Sequence, residues 1–119
     1  MKKLNIGKDF DPDPSGRYYT DGDASGEAFR EDFLKGMLQA LASGEKLQII
    51  LDDGVEGYGS SFLVEGFAGM VKYGYMTKDE LLSKLDIVCA DEDFEFYKKK
   101  IVEYIEKAVF NSEKYIPTK

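Results

Sequence analysis

At 119 residues, 43% of them hydrophobic, the chain is long enough for one core and too short for two domains, so a single domain spanning 1–119 is expected. Its 16 basic residues stand against 23 acidic ones, a net charge of -7. An acidic surface repels phosphate backbones and anionic bilayers, so neither nucleic acid nor a membrane is expected as a partner. The chain has no histidine, which removes Ser-His-Asp triads, Cys-His pairs and imidazole metal ligands.

No apolar run approaches the roughly 18 to 20 residues that span a bilayer. The opening Met1-Lys2-Lys3-Leu4-Asn5 lacks the apolar stretch of a signal peptide, so a cytoplasmic location is expected. The lone Cys89 lies in the apolar run Ile87-Val88-Cys89-Ala90, where a small buried thiol is the ordinary outcome.

In chain order, Leu4 and Ile6 alternate with polar neighbours. Phe10-Asp11-Pro12-Asp13-Pro14-Ser15-Gly16 then interrupts before Arg17-Tyr18-Tyr19-Thr20, a pattern that predicts a hairpin with a wide loop. Ser25 suits a helix N-cap and Glu27 the positive helix end, and Phe29, Phe33, Met37 and Leu41, joined by Leu34 and Leu38, make one apolar helical face running to about Ser43, with Gly44 as the stop. Leu47-Gln48-Ile49-Ile50-Leu51 reads as a central strand covered on both faces.

Leu63, Phe67, Met70 and Val71 recur at helical spacing between about Ser60 and Tyr73, and Gly66 and Gly69 leave one side thin for close packing. Thr77-Lys78-Asp79-Glu80 is a capping box opening a short helix with Leu81, Leu82 and Leu85. Asp86 to Ala90 reads as a second buried strand. The last helix has Asp91, Glu92 and Asp93 at its start, Phe94, Tyr97, Ile101, Ile105 and Ala108 on one face, and Lys98-Lys99-Lys100 as a solvated face. The expected architecture is α/β, a small mixed sheet of about four strands flanked by helices. Its core is expected at Phe29, Phe33, Ile49, Ile50, Leu51, Phe67, Val71, Ile87 and Ile101.

The chemically suggestive stretch is Leu51 to Phe62, a strand end, a glycine loop and a helix start, which is where open α/β sheets build sites. Gly54 to Ser61 has the glycine spacing of a phosphate-binding P-loop, but Ser60 stands where that loop needs its lysine. Nucleotide hydrolysis is therefore not expected. Asp52, Asp53 and Glu56 supply oxygen ligands of the kind Mg²⁺ takes, but three carboxylates in a loop are ordinarily solvated, so no metal and no cofactor is implied.

Three segments together, Ser15-Gly16-Arg17, Asp21-Gly22-Asp23-Ala24-Ser25-Gly26-Glu27-Ala28-Phe29-Arg30-Glu31 and Gly57-Tyr58-Gly59-Ser60-Ser61-Phe62-Leu63-Val64-Glu65-Gly66-Phe67-Ala68-Gly69, resemble the STAS-like family of bacterial domains over about residues 4–90. That family is similar to the anti-sigma-factor antagonists, in which a central strand leads through a loop to a serine pair at a helix start. There, one serine is phosphorylated by a partner kinase of ATPase fold. Ser60 and Ser61 fall at that place, with Gly59 where the antagonists carry Asp and Phe62 where they carry glycine.

The resemblance implies a regulatory protein-interaction module and not an enzyme. Ser60, Ser61, Tyr58 and Phe62 would form the phosphorylation and partner-binding surface, with a protein such as an ATPase-fold kinase as partner. Arg17, Glu27, Asp52 and Glu65 are further polar candidates, with Arg17 and Glu27 expected to affect partner binding more than folding. The alternative is a small ligand- or anion-binding protein or enzyme that uses the amides of the Gly54–Ser61 loop as an anion nest. A concave site above the strand ends would favour the ligand, and exposed Tyr58 and Phe62 a protein partner.

Overall fold

A computed structural model describes residues 2–119. Strands β1 (Lys2–Asn5), β2 (Leu47–Ile50) and β3 (Leu85–Val88) form one parallel sheet in the order β1-β2-β3. The α/β class is as expected, but three parallel strands replace the four of a mixed sheet.

The missing strand is the return arm of the expected hairpin. Asn5 ends β1, its side chain accepting from the Lys8 amide at 3.1 Å as the N-cap of a π-helical turn over Ile6–Phe10. At Arg17–Thr20 the Asp21 carboxylate accepts from the Arg17 and Tyr18 amides at 3.0 and 2.9 Å, next to a 3-10 turn over Tyr19–Asp21. Local side-chain acceptors take the backbone donors that a strand ladder would have used.

Helix α1 covers residues 26–39 as Gly26–Phe29, a π-helical segment Arg30–Leu34, and Lys35–Gln39. The Ser25 hydroxyl caps it, accepting from the Ala28 amide at 3.1 Å. The helix stops before Leu41, and Gly44 takes a φ of 79° in the turn into β2, a conformation that glycine adopts without steric cost. Helix α2 covers residues 60–72 with the same construction: Ser60–Leu63, a π-helical segment Val64–Ala68, and Gly69–Lys72. Helix α3 (Lys78–Lys84) carries the expected Thr77–Glu80 capping box, and a 3-10 turn at Glu92–Phe94 leads into α4 (Glu95–Lys107).

Helices α1 and α4 both pack against α2. Where α1 meets α2, a Cβ on Gly26 would lie 2.6 Å from the Phe62 carbonyl oxygen and 2.9 Å from the Gly66 nitrogen. Only glycine permits that approach. In β2, Leu47 and Ile49 are fully buried while Gln48 and Ile50 are half-buried, and β3 repeats the alternation. The sheet therefore has one fully covered face rather than two, and the apolar run at Leu47–Leu51 is continuous because Ile50 sits half-covered on the other. Most of the expected core is buried: Phe29, Ile49, Leu51, Phe67, Val71, Ile87 and Ile101. Phe33, like Ile50, is half-buried. Phe10, from the segment that broke the sequence pattern, packs on both Phe29 and Phe33 with ring centroids 5.5 and 5.3 Å apart.

Candidate functional site

The residues singled out from the sequence fall into two clusters and a strut. The first cluster lies at the start of α2. Gly59 is the N-cap and offers no side-chain acceptor, so the first amides of the helix are uncapped by any side chain. Ser60 is exposed and Ser61 half-buried. Arg17 approaches from the loop before α1, its Nη2 lying 3.5 Å from the Ser61 Oγ. The Asp21 carboxylate holds the Arg17 amide, and the backbone of Glu27 donates to the Arg17 carbonyl at 2.9 Å. Arg17 and Glu27 are thus joined by a backbone bond, not as a charge pair.

Tyr58 and Phe62 differ from the docking surface expected of them. Phe62 is wholly buried, its ring 5.5 Å from that of Phe29, because the first turn of α2 lies directly over α1. Tyr58 is buried as well, and its hydroxyl donates to the Leu51 carbonyl at 2.6 Å. Burial and neighbouring Asp52 and Tyr97 push its phenol far above the usual range. Both rings belong to the core and present no apolar surface to a partner.

The strut is Asp52. Its carboxylate accepts from the amides of Ala90 and Asp91 at 2.8 and 2.7 Å, tying the end of β2 to the end of β3. Asp53 turns the other way, to Asn5 at 2.8 Å and Lys8 at 3.4 Å, and the Asn5 hydrogen bond with the Lys8 charge holds it below the usual carboxylate range. Asp52 and Asp53 thus diverge, and Glu56 is exposed. Beside them is a shallow depression of about 330 Å³ lined by Pro12, Asp13, Gly54 and Glu56. Two carboxylates and no base line it, so an anion would meet like charge there.

Cys89 is half-buried rather than buried, with its thiol 3.5 Å from a Glu95 carboxylate oxygen. Desolvation and that carboxylate push the thiol up, which disfavours the reactive thiolate.

The second cluster holds Glu27 and Glu65, together with residues that the sequence did not single out. Arg30, Glu27 and Glu65 are all fully buried. Arg30 donates from Nη1 to the Glu65 carboxylate at 2.9 Å and carbonyl at 2.7 Å, and from Nε to Glu31 at 2.8 Å. Glu65 also accepts from the Tyr73 hydroxyl at 2.7 Å and from Lys72 at 3.4 Å. The two π-helical segments are where this pair sits, Arg30 opening one and Glu65 within the other.

Over the cluster lies the chain after α4. The Asn111 amide donates to the Val71 carbonyl at 2.9 Å, which it shares with the Gly74 amide at 3.0 Å, and the Glu113 amide satisfies the Lys72 carbonyl at 3.2 Å. The Tyr115 ring packs against that of Tyr73, 5.3 Å away and inclined at 60°, with the Arg30 guanidinium 4.6 Å from the Tyr73 ring and 4.9 Å from the Tyr115 ring. The Tyr115 hydroxyl donates to Glu27 at 2.6 Å, the Thr118 hydroxyl at 2.6 Å, and the Thr118 amide at 3.2 Å. A fourth donor, the Tyr19 amide at 2.9 Å, comes from the Arg17 loop.

No protein family, no curated protein and no solved structure matches this chain. No helix among the described residues is long and apolar enough to cross a membrane.

Burial raises the Glu27 carboxyl, but the bonds from Thr118, Tyr115 and Tyr19 outweigh it and hold the group below its usual value. Glu31 behaves alike, burial being outweighed by Lys35, Arg30 and Tyr75. A depressed carboxyl contributes stability above its unfolded-state pKa, about 4.3 for glutamate, and loses it as pH falls through the lower folded value. The urea midpoint is therefore expected to fall steadily on acidification below about pH 4.3, and the slope should shrink in Glu27→Gln. A midpoint that holds or rises in acid would contradict these assignments.

Proposed function

We propose that the protein is a regulatory protein-interaction module of STAS-like type, switched by phosphorylation of Ser61, or of Ser60 failing it, with Arg17 as the reader of the phosphate. In this reading a partner kinase of ATPase fold holds ATP and passes its γ-phosphoryl to the serine Oγ, which loses its proton as ADP departs. The observation that carries the reading is the Arg17 guanidinium 3.5 Å from the Ser61 Oγ, at a helix start without a side-chain cap.

A phosphate on Ser61 adds a charge of about -1.5 to -2 and three acceptor oxygens. Its nearest cation is Arg17, and the helix-start amides favour the same charge by roughly 0.3 to 1 kcal/mol each. Asp52 and Asp53 are drawn away, to the Ala90 and Asp91 amides and to Asn5 and Lys8, so their opposition is weaker than their position in the chain suggests. The phosphate would staple the Arg17 loop onto α2 and replace a neutral hydroxyl by a strongly charged group, which a partner docked there would have to desolvate. The acid-lined depression beside Glu56 gives the anion-binding alternative no counter-charge.

Two measurements test this. Phosphopeptide mass spectrometry of the protein taken from its native cell is expected to find phosphate on Ser61 or Ser60. A double-mutant cycle on protein carrying phosphoserine at 61, with and without Arg17→Ala, should give a coupling of about 1 to 3 kcal/mol in thermal stability, the range of charge-assisted hydrogen bonds. The reading fails if neither serine carries phosphate and if Ser61→Asp and Ser61→Ala, with the same changes at Ser60, leave binding to the co-purified partner unchanged.

A further inference from the structure

The segment after α4 is held chiefly by hydrogen bonds to a buried carboxylate. Three of the four bonds to the buried Glu27 carboxylate come from Tyr115 and Thr118, while three large apolar side chains of the same segment, Val109, Phe110 and Ile116, are 66%, 50% and 72% exposed. Burial of apolar surface is what normally anchors a segment, and here, apart from the Tyr115 ring on Tyr73, the anchor is polar. The attachment is also incomplete, because Arg30 Nη2, beneath the Tyr115 ring, is buried with no hydrogen-bond partner among the described residues. Lys119 lies over the Tyr19 ring at 5.0 Å, and Glu113 of the same segment pairs with Lys72 at 3.7 Å.

We infer that the groove formed by Glu27, Arg30, Tyr73 and the end of α2 is a peptide-docking site, and that residues 112–119 are its tethered occupant. The partner it takes is an extended peptide with a tyrosine hydroxyl and, three residues on, a threonine, which displaces the chain's own segment. Every part of that specificity is in the present contacts. Glu27 demands two hydroxyl donors and an amide, the Arg30–Tyr73 platform takes an aromatic ring, and the Lys72 carbonyl takes a backbone amide, as it now takes that of Glu113. Displacement uncovers little apolar surface beyond the Tyr115 ring, since Ile116 is exposed already. The inference does not depend on phosphorylation of Ser61.

A short flexible tether presents its ligand at an effective concentration in the millimolar range, so the intact protein should be nearly closed to competitors. The probe is a fluorescein-labelled peptide with the sequence of residues 112–119, titrated by anisotropy into the full chain and into the full chain carrying Tyr115→Phe and Thr118→Val. The variant, checked for folding by circular dichroism, is expected to bind the peptide at least about 10-fold more tightly than wild type. A peptide carrying the same two changes should bind neither protein. Equal affinity for both proteins, or a folded variant that ignores the peptide, would overturn the inference.

If the variant does not fold, native-state hydrogen exchange on the unaltered protein decides. The Asn111, Glu113 and Thr118 amides should exchange at least about 10-fold faster than those in the middle of α1, as expected of a segment that opens on its own. Protection equal to that of α1 would make the segment an integral part of the fold and sink the proposal.

Discussion

Replacing Glu65 by Ala is expected to cost about 3 to 5 kcal/mol of folding stability, the usual penalty for breaking a buried ion pair by removing one partner. Arg30 is entirely enclosed, so once Glu65 is gone its Nη1 keeps only the residue 65 carbonyl, and Glu31 is left to balance the charge alone. Tyr73 loses its acceptor in the same step, and Lys72 keeps Glu113 at 3.7 Å. The charge cannot be shed, because a guanidinium does not deprotonate in a protein. Urea denaturation at neutral pH measures the loss directly. A second variant separates the penalty of the orphaned charge from the value of the pair: Arg30→Met with Glu65→Leu removes both charges and should recover a large part of the stability, since well-packed apolar groups often replace a buried pair without loss. A Glu65→Ala protein within about 1 kcal/mol of wild type would mean that solvent reaches Arg30 and that the cluster is not sealed.

Phe29→Ala should be as damaging, at about 3 to 5 kcal/mol, by a different route. Phe29 is fully buried, and its ring lies 5.5 Å from Phe10, 5.5 Å from Phe62 and 5.3 Å from Phe67. It thus joins the segment after β1, helix α1 and both ends of the first half of α2. Truncation leaves a cavity that cannot close, because Gly26 and Gly66 already bring the two helices together and leave no slack in the backbone. Phe33→Ala, one turn further along and only half-buried, is the internal comparison and should cost clearly less. Equal losses at the two positions would show that the ring cluster is not centred on Phe29.

How far the sequence could be read is instructive residue by residue. The helices were legible because their apolar faces keep a 3.6-residue period and their caps are chemical: Ser25 and the Thr77–Glu80 box do in the structure what their residue types imply. The N-terminal hairpin was not, because alternation at Leu4 and Ile6 carries no information about whether Asn5 or Asp21 will claim the backbone amides first. Tyr58 and Phe62 looked like surface because they flank a glycine loop. The loop is short enough, however, that α2 begins at Ser60 and puts Phe62 straight onto Phe29.

The Arg17–Ser61 contact joins two segments 44 residues apart, and only the resemblance suggested that they belong together. For the buried cluster there was one available signal, an arginine at position 30 between Phe29 and Phe33 on the apolar side of a helix. Such a charge must find a partner inside. Nothing local pointed to Tyr115 or Thr118, whose partner Glu27 is 88 to 91 residues away.

The all-parallel order of the sheet has a consequence for how the chain is made. Lys2 is in register with Leu47 and Leu47 with Leu85, so each pairing closes a loop of roughly forty residues and no two strands can pair as a local hairpin. During synthesis the first strand waits for the second, and the pair of them, four residues each, waits for β3 before a three-stranded sheet exists. At roughly 5 to 20 residues per second, the nascent chain spends seconds with Leu4, Phe29 and Ile49 made but not enclosed. Helix α1 can form early but has nothing complete to lie on. A ribosome-bound chain that has exposed residues only as far as α2 should therefore be protease-sensitive throughout and should become resistant only once β3 and then α4, which closes over α2 with the buried Ile101 and Ile105, have cleared the exit tunnel.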